Sequence, residues 1–309
     1  MSNVCASWAT ARDGQPFAVM RAMMGPDFVG VGAPRSGTSW LYEVLRRHPA
    51  LWLPPVKELH YFDEPVRSKR YFSYLRMRLI AGLWIRHPLS RFDLSYFLGR
   101  RSDAWYCALF APARRRGLRT GEITPAYSIL DETALQSLKA LSPNVKLIYI
   151  MRDPVMRSWS AVMKLQRKRG GAGVPSGEEA MHYARTEGVW KRSSYLDSIE
   201  RFERVFRRDQ IFYGFFEHLA ADPTTFVTGL LEFLGVEPGD VGRLLPDAPV
   251  NVAAAGRNPP PEFSRALAAA FLPGVEKLCE RFDGPPHQWR ARYQALLSQP
   301  MPSPTEASG

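Results

Sequence analysis

From Phe28 the chain is apolar for five residues, FVGVG, and beyond a short polar turn the spacing of apolar positions changes. Trp40, Leu41, Val44 and Leu45 share one side of a helical projection, and Glu43, Arg46 and Arg47 share the other. This predicts a buried strand over Phe28–Gly32 and an amphipathic helix that His48 and Pro49 stop. A short extended piece, Leu51–Leu53, follows. The same alternation recurs further on. Core pattern resumes at GEITPAYS, Gly121–Ser128, followed by a helix near Asp131–Leu141. KLIYIM, Lys146–Met151, reads as a second buried strand, and Pro154 suits the first position of a helix running to about Lys168. GGAGVPSG, Gly170–Gly177, reads as a flexible loop. Helices near Glu178–Glu187 and Tyr195–Arg207, a strand Gln210–Gly214 and a helix Pro223–Leu234 complete the pattern. Strands alternating with helices predict an α/β fold: a parallel sheet with helices on both faces.

Residues 66–119 interrupt that alternation with a helical stretch rich in Arg, Lys, Tyr, Phe and Trp. It reads as an insertion, either a lid or substrate platform, a surface that touches an anionic membrane, or a helical excursion with packed aromatics. The expected organisation is a flexible leader over 1–26, a single domain over 27–298 and a disordered, Pro- and Ser-rich tail over 299–309. The leader carries Arg12, Asp13 and Arg21 and so lacks the apolar core of a signal peptide. No apolar run is long enough to cross a bilayer, and a cytoplasmic protein is expected, with peripheral membrane contact as an option.

Charge narrows the partners only in part. With 309 residues, 41 Lys+Arg against 30 Asp+Glu and a formal net charge of +11, the chain should attract an anionic cosubstrate, an acidic polymer or a membrane surface. No RRM, zinc-finger or helix-turn-helix signature accompanies the charge, so nucleic acid is not an expected partner. Cys5, Cys107 and Cys279 are far apart, which fits neither a disulfide framework nor a metal-ligand set.

The candidate chemistry starts in the turn after the first strand. Strand, glycine-punctuated turn and helix leave the N–H groups of the first helical turn aimed at one spot, where the helix dipole favours an anion. Gly32, Gly37, Thr38 and Ser39 nearly fit a phosphate-binding P-loop, but Thr38 stands where a nucleotide triphosphatase needs Lys, and the basic residue is Arg35. At this point a phosphate cradle and an ordinary capped turn both fit.

Three segments taken in order decide more. PRSGTSW, KELHYFD (Lys57–Asp63) and IYIMRDPVMRSWS (Ile148–Ser160) resemble the sulfotransferases that use 3′-phosphoadenosine 5′-phosphosulfate (PAPS). The likeness covers about residues 28–260 and is closest to the branch of heparan-sulfate glycan sulfotransferases and their bacterial relatives. It implies a P-loop-like domain that moves a sulfuryl group from PAPS to a hydroxyl or amine of a glycan, lipid or small-molecule acceptor. The resemblance sets the 5′-phosphate against the N–H groups of Ser36, Gly37, Thr38, Ser39 and Trp40 and the hydroxyls of Thr38 and Ser39. It sets Arg35, where relatives often carry Lys, beside the bond that breaks. Arg152 and Ser160 would hold the 3′-phosphate, and Arg257 would belong to a loop covering it or be an exposed loop arginine. Glu58 would be the general base, with His60 orienting it or serving as base itself, and Lys57 a second cation or a surface lysine. Tyr61 and Phe62 read as core, Tyr127 as a buried tyrosine or an acceptor-cleft residue, and Arg157 and Arg169 as solvent-facing. No metal is expected, because Arg35, Lys57 and the helix terminus supply the positive charge. Two rivals stay open: a P-loop kinase or triphosphatase with a degenerate Walker A and Asp153 as acid, and a polyanion- or membrane-binding module built on 66–119.

Overall fold

Five parallel strands order the chain. In the computed structural model, residues 24–64, 90–171, 173–246 and 258–300 are described. The strands β1 (Phe28–Gly32), β2 (Leu51–Trp52), β3 (Arg119–Ile123), β4 (Lys146–Met151) and β5 (Ile211–Phe215) lie in the order β2-β3-β1-β4-β5. Phe28 sits opposite both Gly121 and Lys146, and Leu147 opposite Ile211. The predicted fold class is the observed one.

Side-chain alternation along the strands explains the layers. Val29, Val31, Leu147, Tyr149 and Met151 face one core, which holds Trp159, Ile199, Phe202, Phe263 and Leu267. Phe28, Ile148 and Ile150 face the other, packed with Leu41, Leu45, Val227 and Leu230. The helices that supply these residues are α1 (Thr38–Arg47), α2 (Arg91–Leu98), α3 (Asp103–Arg115), α4 (Glu132–Leu141), α5 (Pro154–Lys168), α6 (Gly177–Ala184), α7 (Glu187–Trp190), α8 (Tyr195–Val205), α9 (Phe216–Ala221), α10 (Pro223–Leu234), α11 (Pro261–Cys279) and α12 (Pro285–Ser298).

The sheet resumes at Arg119, and the helices α2 and α3 of the insertion follow the packed-aromatics alternative. They bury Tyr96, Phe97, Tyr106, Leu109 and Phe110 against Val56 and Leu59 in a third apolar cluster. The predicted helix near Glu178–Glu187 is two helices, α6 and α7. The C-terminal helices α11 and α12 pack on the first core through Phe263, Leu267, Trp289 and Tyr293. Residues 1–23, 65–89 and 301–309 and Arg257 lie outside the described residues, and with them most of the leader, the first part of the insertion and nearly all of the tail. Among the described residues no helix is long and apolar enough to cross a membrane.

Candidate active site at the carboxyl ends of the strands

Three segments hang from the carboxyl ends of three neighbouring strands, the place where open α/β sheets build their sites. After β1, Ala33 N–H donates to Ile150 O at 2.8 Å, and after β3, Thr124 N–H donates to Gly30 O at 2.9 Å. Glu58 N–H donates to Ile123 O at 3.2 Å, which brings the KELHYFD segment to the same edge.

The turn between β1 and α1 is built for an anion. Gly37, with φ 83°, is the N-cap of α1 and offers no side chain to its first turn, which also carries no acidic residue. A Cβ there would meet Phe216 at 3.3 Å, so the turn keeps its shape only with glycine. Leu41 is the first residue to close an α-helical bond, to Gly37 O. The N–H groups of Thr38, Ser39 and Trp40 therefore have no backbone acceptor among the described residues. Ser36 differs from expectation. Its N–H is spent on Ala33 O at 3.3 Å, and its fully buried hydroxyl has no partner among the described residues.

Cations gather at this turn. Arg35 Nε donates to Ser160 Oγ at 2.9 Å, and Arg152 Nη1 donates to Arg35 O at 3.2 Å while its guanidinium lies 4.5 Å from the centre of the Phe216 ring. Burial, then Arg152, then Arg167 push the Arg35 pKa down, and burial does the same to Arg152. Neither has a carboxylate within ion-pair range among the described residues. Asp153, the neighbour that could have neutralised Arg152, instead caps α5 through Met156 N–H at 2.9 Å and binds Arg292 and the Tyr293 hydroxyl. Such crowded, desolvated cations fit a multiply charged phosphate ligand.

Arg157 corrects the expectation of a solvent-facing residue. It is 1% exposed, with burial pushing its pKa down to about 10, and it donates to Ser193 Oγ, Val189 O and Pro34 O. It braces the turn from beneath. Arg169 is exposed, as expected, and donates to the Tyr183 hydroxyl at 2.8 Å.

The acidic segment forms a chain of contacts. Lys57 Nζ lies 2.8 Å from Glu58 Oε1, His60 Nε2 lies 3.5 Å from Glu58 Oε2, and His60 Nδ1 lies 2.8 Å from Asp63 Oδ2. Atoms of His60, Asp63 and Glu64 able to ligate an ion lie within 4.8 Å of one another, a grouping that the sequence did not announce. Tyr61 stacks on Tyr106 at 4.5 Å and Phe62 meets Tyr106 edge-on at 5.3 Å, so both pack without being fully enclosed. Tyr127 is fully buried. Among the described residues, the non-glycine residues with positive φ are Arg35 (75°), Glu58 (66°) and His60 (52°). Left-handed backbone costs a non-glycine residue about 1–2 kcal/mol and concentrates where function demands it.

Two residues near these segments escaped sequence reasoning. Glu122 lies buried under the KELHYFD segment, and its signal was a carboxylate inside an otherwise buried strand. Arg192 has its pKa pushed down by burial and up by Asp63, and it donates to Gly188 O at 2.7 Å. A lone arginine in a helix-rich stretch gave no signal.

Known proteins share this arrangement of segments. The signature described as "Sulfotransferase family" matches residues 26–240. Heparan sulfate glucosamine 3-O-sulfotransferase 3B1 of Mus musculus is 27% identical over 219 residues, which is 69% of this chain and 46% of that protein. Carbohydrate sulfotransferase 15 of Mus musculus is 28% identical over 155 residues, 44% of this chain and 26% of that protein. The chain thus spans less than half the length of these curated relatives. A solved sulfotransferase from Alicyclobacillus acidocaldarius aligns with a TM-score of 0.55 at 25% identity, covering 89% of this chain and 97% of its own. The matched span takes in the turn at Arg35, the acidic segment and the Arg152–Ser160 helix start, and it covers more than half of the sequence. The chain belongs to the sulfotransferase family.

Proposed function

We propose that this protein transfers a sulfuryl group from PAPS to a hydroxyl or amine of an acceptor, with Glu58 as general base. The observation that carries the reading is the convergence of Arg35, Arg152 and Ser160 on an uncapped helix N-terminus, with no carboxylate in ion-pair range of either arginine among the described residues. The N–H groups of Thr38, Ser39 and Trp40 and the hydroxyls of Thr38 and Ser39 would hold the 5′-phosphate. Arg152 and Ser160 would hold the 3′-phosphate. Bound there, PAPS supplies the activated sulfuryl group.

The remaining chemistry belongs to the chain. Arg35 is fixed in a left-handed turn and pinned by Ser160, so its charge is in place before negative charge develops on the leaving phosphate; such preorganised charge favours the transition state over the ground state. Lys57 Nζ holds one oxygen of Glu58, the carboxylate that would accept a proton from the attacking hydroxyl. His60, held by Asp63, fixes the direction of the other Glu58 oxygen. A glycan acceptor is the best-supported class, because the printed names of the relatives describe sulfation of heparan sulfate and carbohydrate.

Calorimetric titration with adenosine 3′,5′-bisphosphate in the absence of Mg²⁺ tests the pocket, and turnover with sulfur-labelled donor tests the chemistry. Glu58→Gln should bind the nucleotide as the unaltered protein does yet lose turnover by about 100- to 10,000-fold. Tight ATP binding with no affinity for the bisphosphate would overturn the proposal.

A further inference from the structure

Glu122 sits one strand away from the proposed base, is 1% exposed, and is absent from the acid–base chemistry above. Its surroundings are unusually complete. Thr124 Oγ1 donates to Oε2 at 2.6 Å, and the hydroxyls of Tyr106 and Tyr127 donate to Oε1 at 2.5 and 3.4 Å. The Tyr127 hydroxyl in turn accepts the N–H groups of Tyr61 at 2.7 Å and Phe62 at 3.4 Å. A phenol has one proton to give and two lone pairs to receive, so Tyr127 is fully used.

These bonds all reach one stretch of backbone. Leu59 lies between Glu58 and His60, the two left-handed residues of the segment, and its side chain is anchored in the third apolar cluster. Unsupported, such a stretch relaxes towards ordinary φ values and swings both side chains away. Here the peptide N–H groups of Tyr61 and Phe62 are received by one phenol, which is itself bonded to the Glu122 carboxylate of β3.

We propose that Glu122, acting with Tyr127, is a positioning residue that holds residues 58–62 in their left-handed form and thereby aims Glu58 and His60. The inference rests on the sulfotransferase reading, in which Glu58 is the base. Burial raises the Glu122 pKa, while the bonds from Thr124 and Tyr106 oppose that rise, as expected of a carboxyl kept for its acceptor capacity.

The test uses Glu122→Gln and Tyr127→Phe in the full chain, with Ile199→Val, a buried change in the opposite core, as a control for lost stability. An amide carries one acceptor oxygen against several fixed donors, so Gln cannot replace the carboxylate. Turnover of both variants should fall about 100-fold, as for a small misplacement of a reacting group, while affinity for adenosine 3′,5′-bisphosphate changes less than about threefold. Hydrogen exchange at the Tyr61 and Phe62 amides should quicken in both, and Ile199→Val should keep its turnover. Wild-type turnover in the variants, a fall no larger than the control's, or a parallel loss of nucleotide affinity overturns the proposal. If Glu122→Gln does not fold, Tyr127→Phe, which removes one oxygen, decides by the same criteria. The exchange measurement stands apart from activity: unchanged protection in both variants sinks the positioning role, whereas an unaltered protein inactive on every acceptor sinks the sulfotransferase reading instead.

Discussion

Replacing Arg152 by Met separates nucleotide recognition from folding. The Met side chain keeps an apolar contact with Phe216 but removes the charge and the 3.2 Å bond to Arg35 O. In the ligand-free protein that bond is worth about 1 kcal/mol, and relief of the repulsion that depresses the Arg35 pKa offsets part of it. The melting temperature should therefore move by no more than about 4 °C. Binding is different. Each charge-assisted bond to a phosphate contributes about 1.5–3 kcal/mol, so losing a forked pair weakens affinity for adenosine 3′,5′-bisphosphate by roughly 100-fold or more. At a concentration about 100 times the unaltered Kd, the bisphosphate stabilises the parent protein by about 2.7 kcal/mol and the variant by about 0.4 kcal/mol. That corresponds to shifts of about 6 °C and about 1 °C for a domain of this size. Differential scanning fluorimetry with and without the bisphosphate reads both numbers at once. If Arg152→Met keeps the full shift, Arg152 does not bind phosphate and the pocket assignment is wrong.

Gly37→Ala should lower the melting temperature by a few degrees and weaken bisphosphate binding at least about tenfold, because φ 83° strains an alanine and its methyl group presses on Phe216. Calorimetry showing intact affinity would count against a cradle at this helix start. Ser160→Ala removes the anchor of Arg35 Nε, and kcat/KM should fall about tenfold or more; a value equal to the parent's would mean that Arg35 is aimed by the turn alone. For pH, burial raises Glu122 above its ordinary 4.5, so between 4.5 and that raised value the folded chain binds more protons than the unfolded one. Stability contributed by this group is thus complete below 4.5 and falls as pH rises through the window. Thermal melts across pH should show a steeper loss for the parent than for Glu122→Gln, and parallel curves would contradict the assignment.

Much of the fold was legible because β1 and β4 are uninterrupted apolar runs, which only a sheet covered on both faces accommodates. The first helix was legible from its 3.6-residue stripe, and the phosphate turn from its glycines, of which Gly37 caps the helix with a positive φ. Other parts left weaker marks. Arg157 reads as a surface residue because an arginine's charge usually ends in water, yet here two backbone carbonyls and a serine receive it inside the protein. The insertion reads as a basic, aromatic excursion, and only tertiary packing shows that Tyr96, Phe97 and Tyr106 serve the acidic segment. Phe263, Leu267, Phe271, Val275 and Leu278 do repeat at helical spacing along α11, a signal that was present but passed over among prolines and alanines. Glu122 could be noticed as an oddity, but its purpose depends on Tyr106 and Tyr127, which the chain brings to it only after folding.

The last two helices lie beyond the residues that the family signature matches, yet they reach into its centre. Arg292 and Tyr293 occupy Asp153, the Tyr293 hydroxyl accepts Val155 N–H at 3.2 Å, and Trp289 grips Glu217, which receives the Asp153 N–H at 3.0 Å. An expression fragment trimmed to the family boundary near residue 240 would keep Arg35, Glu58, Arg152 and Ser160 while unlatching the corner on which Arg152 rides. Fragment boundaries chosen by sequence likeness alone would therefore discard a working part.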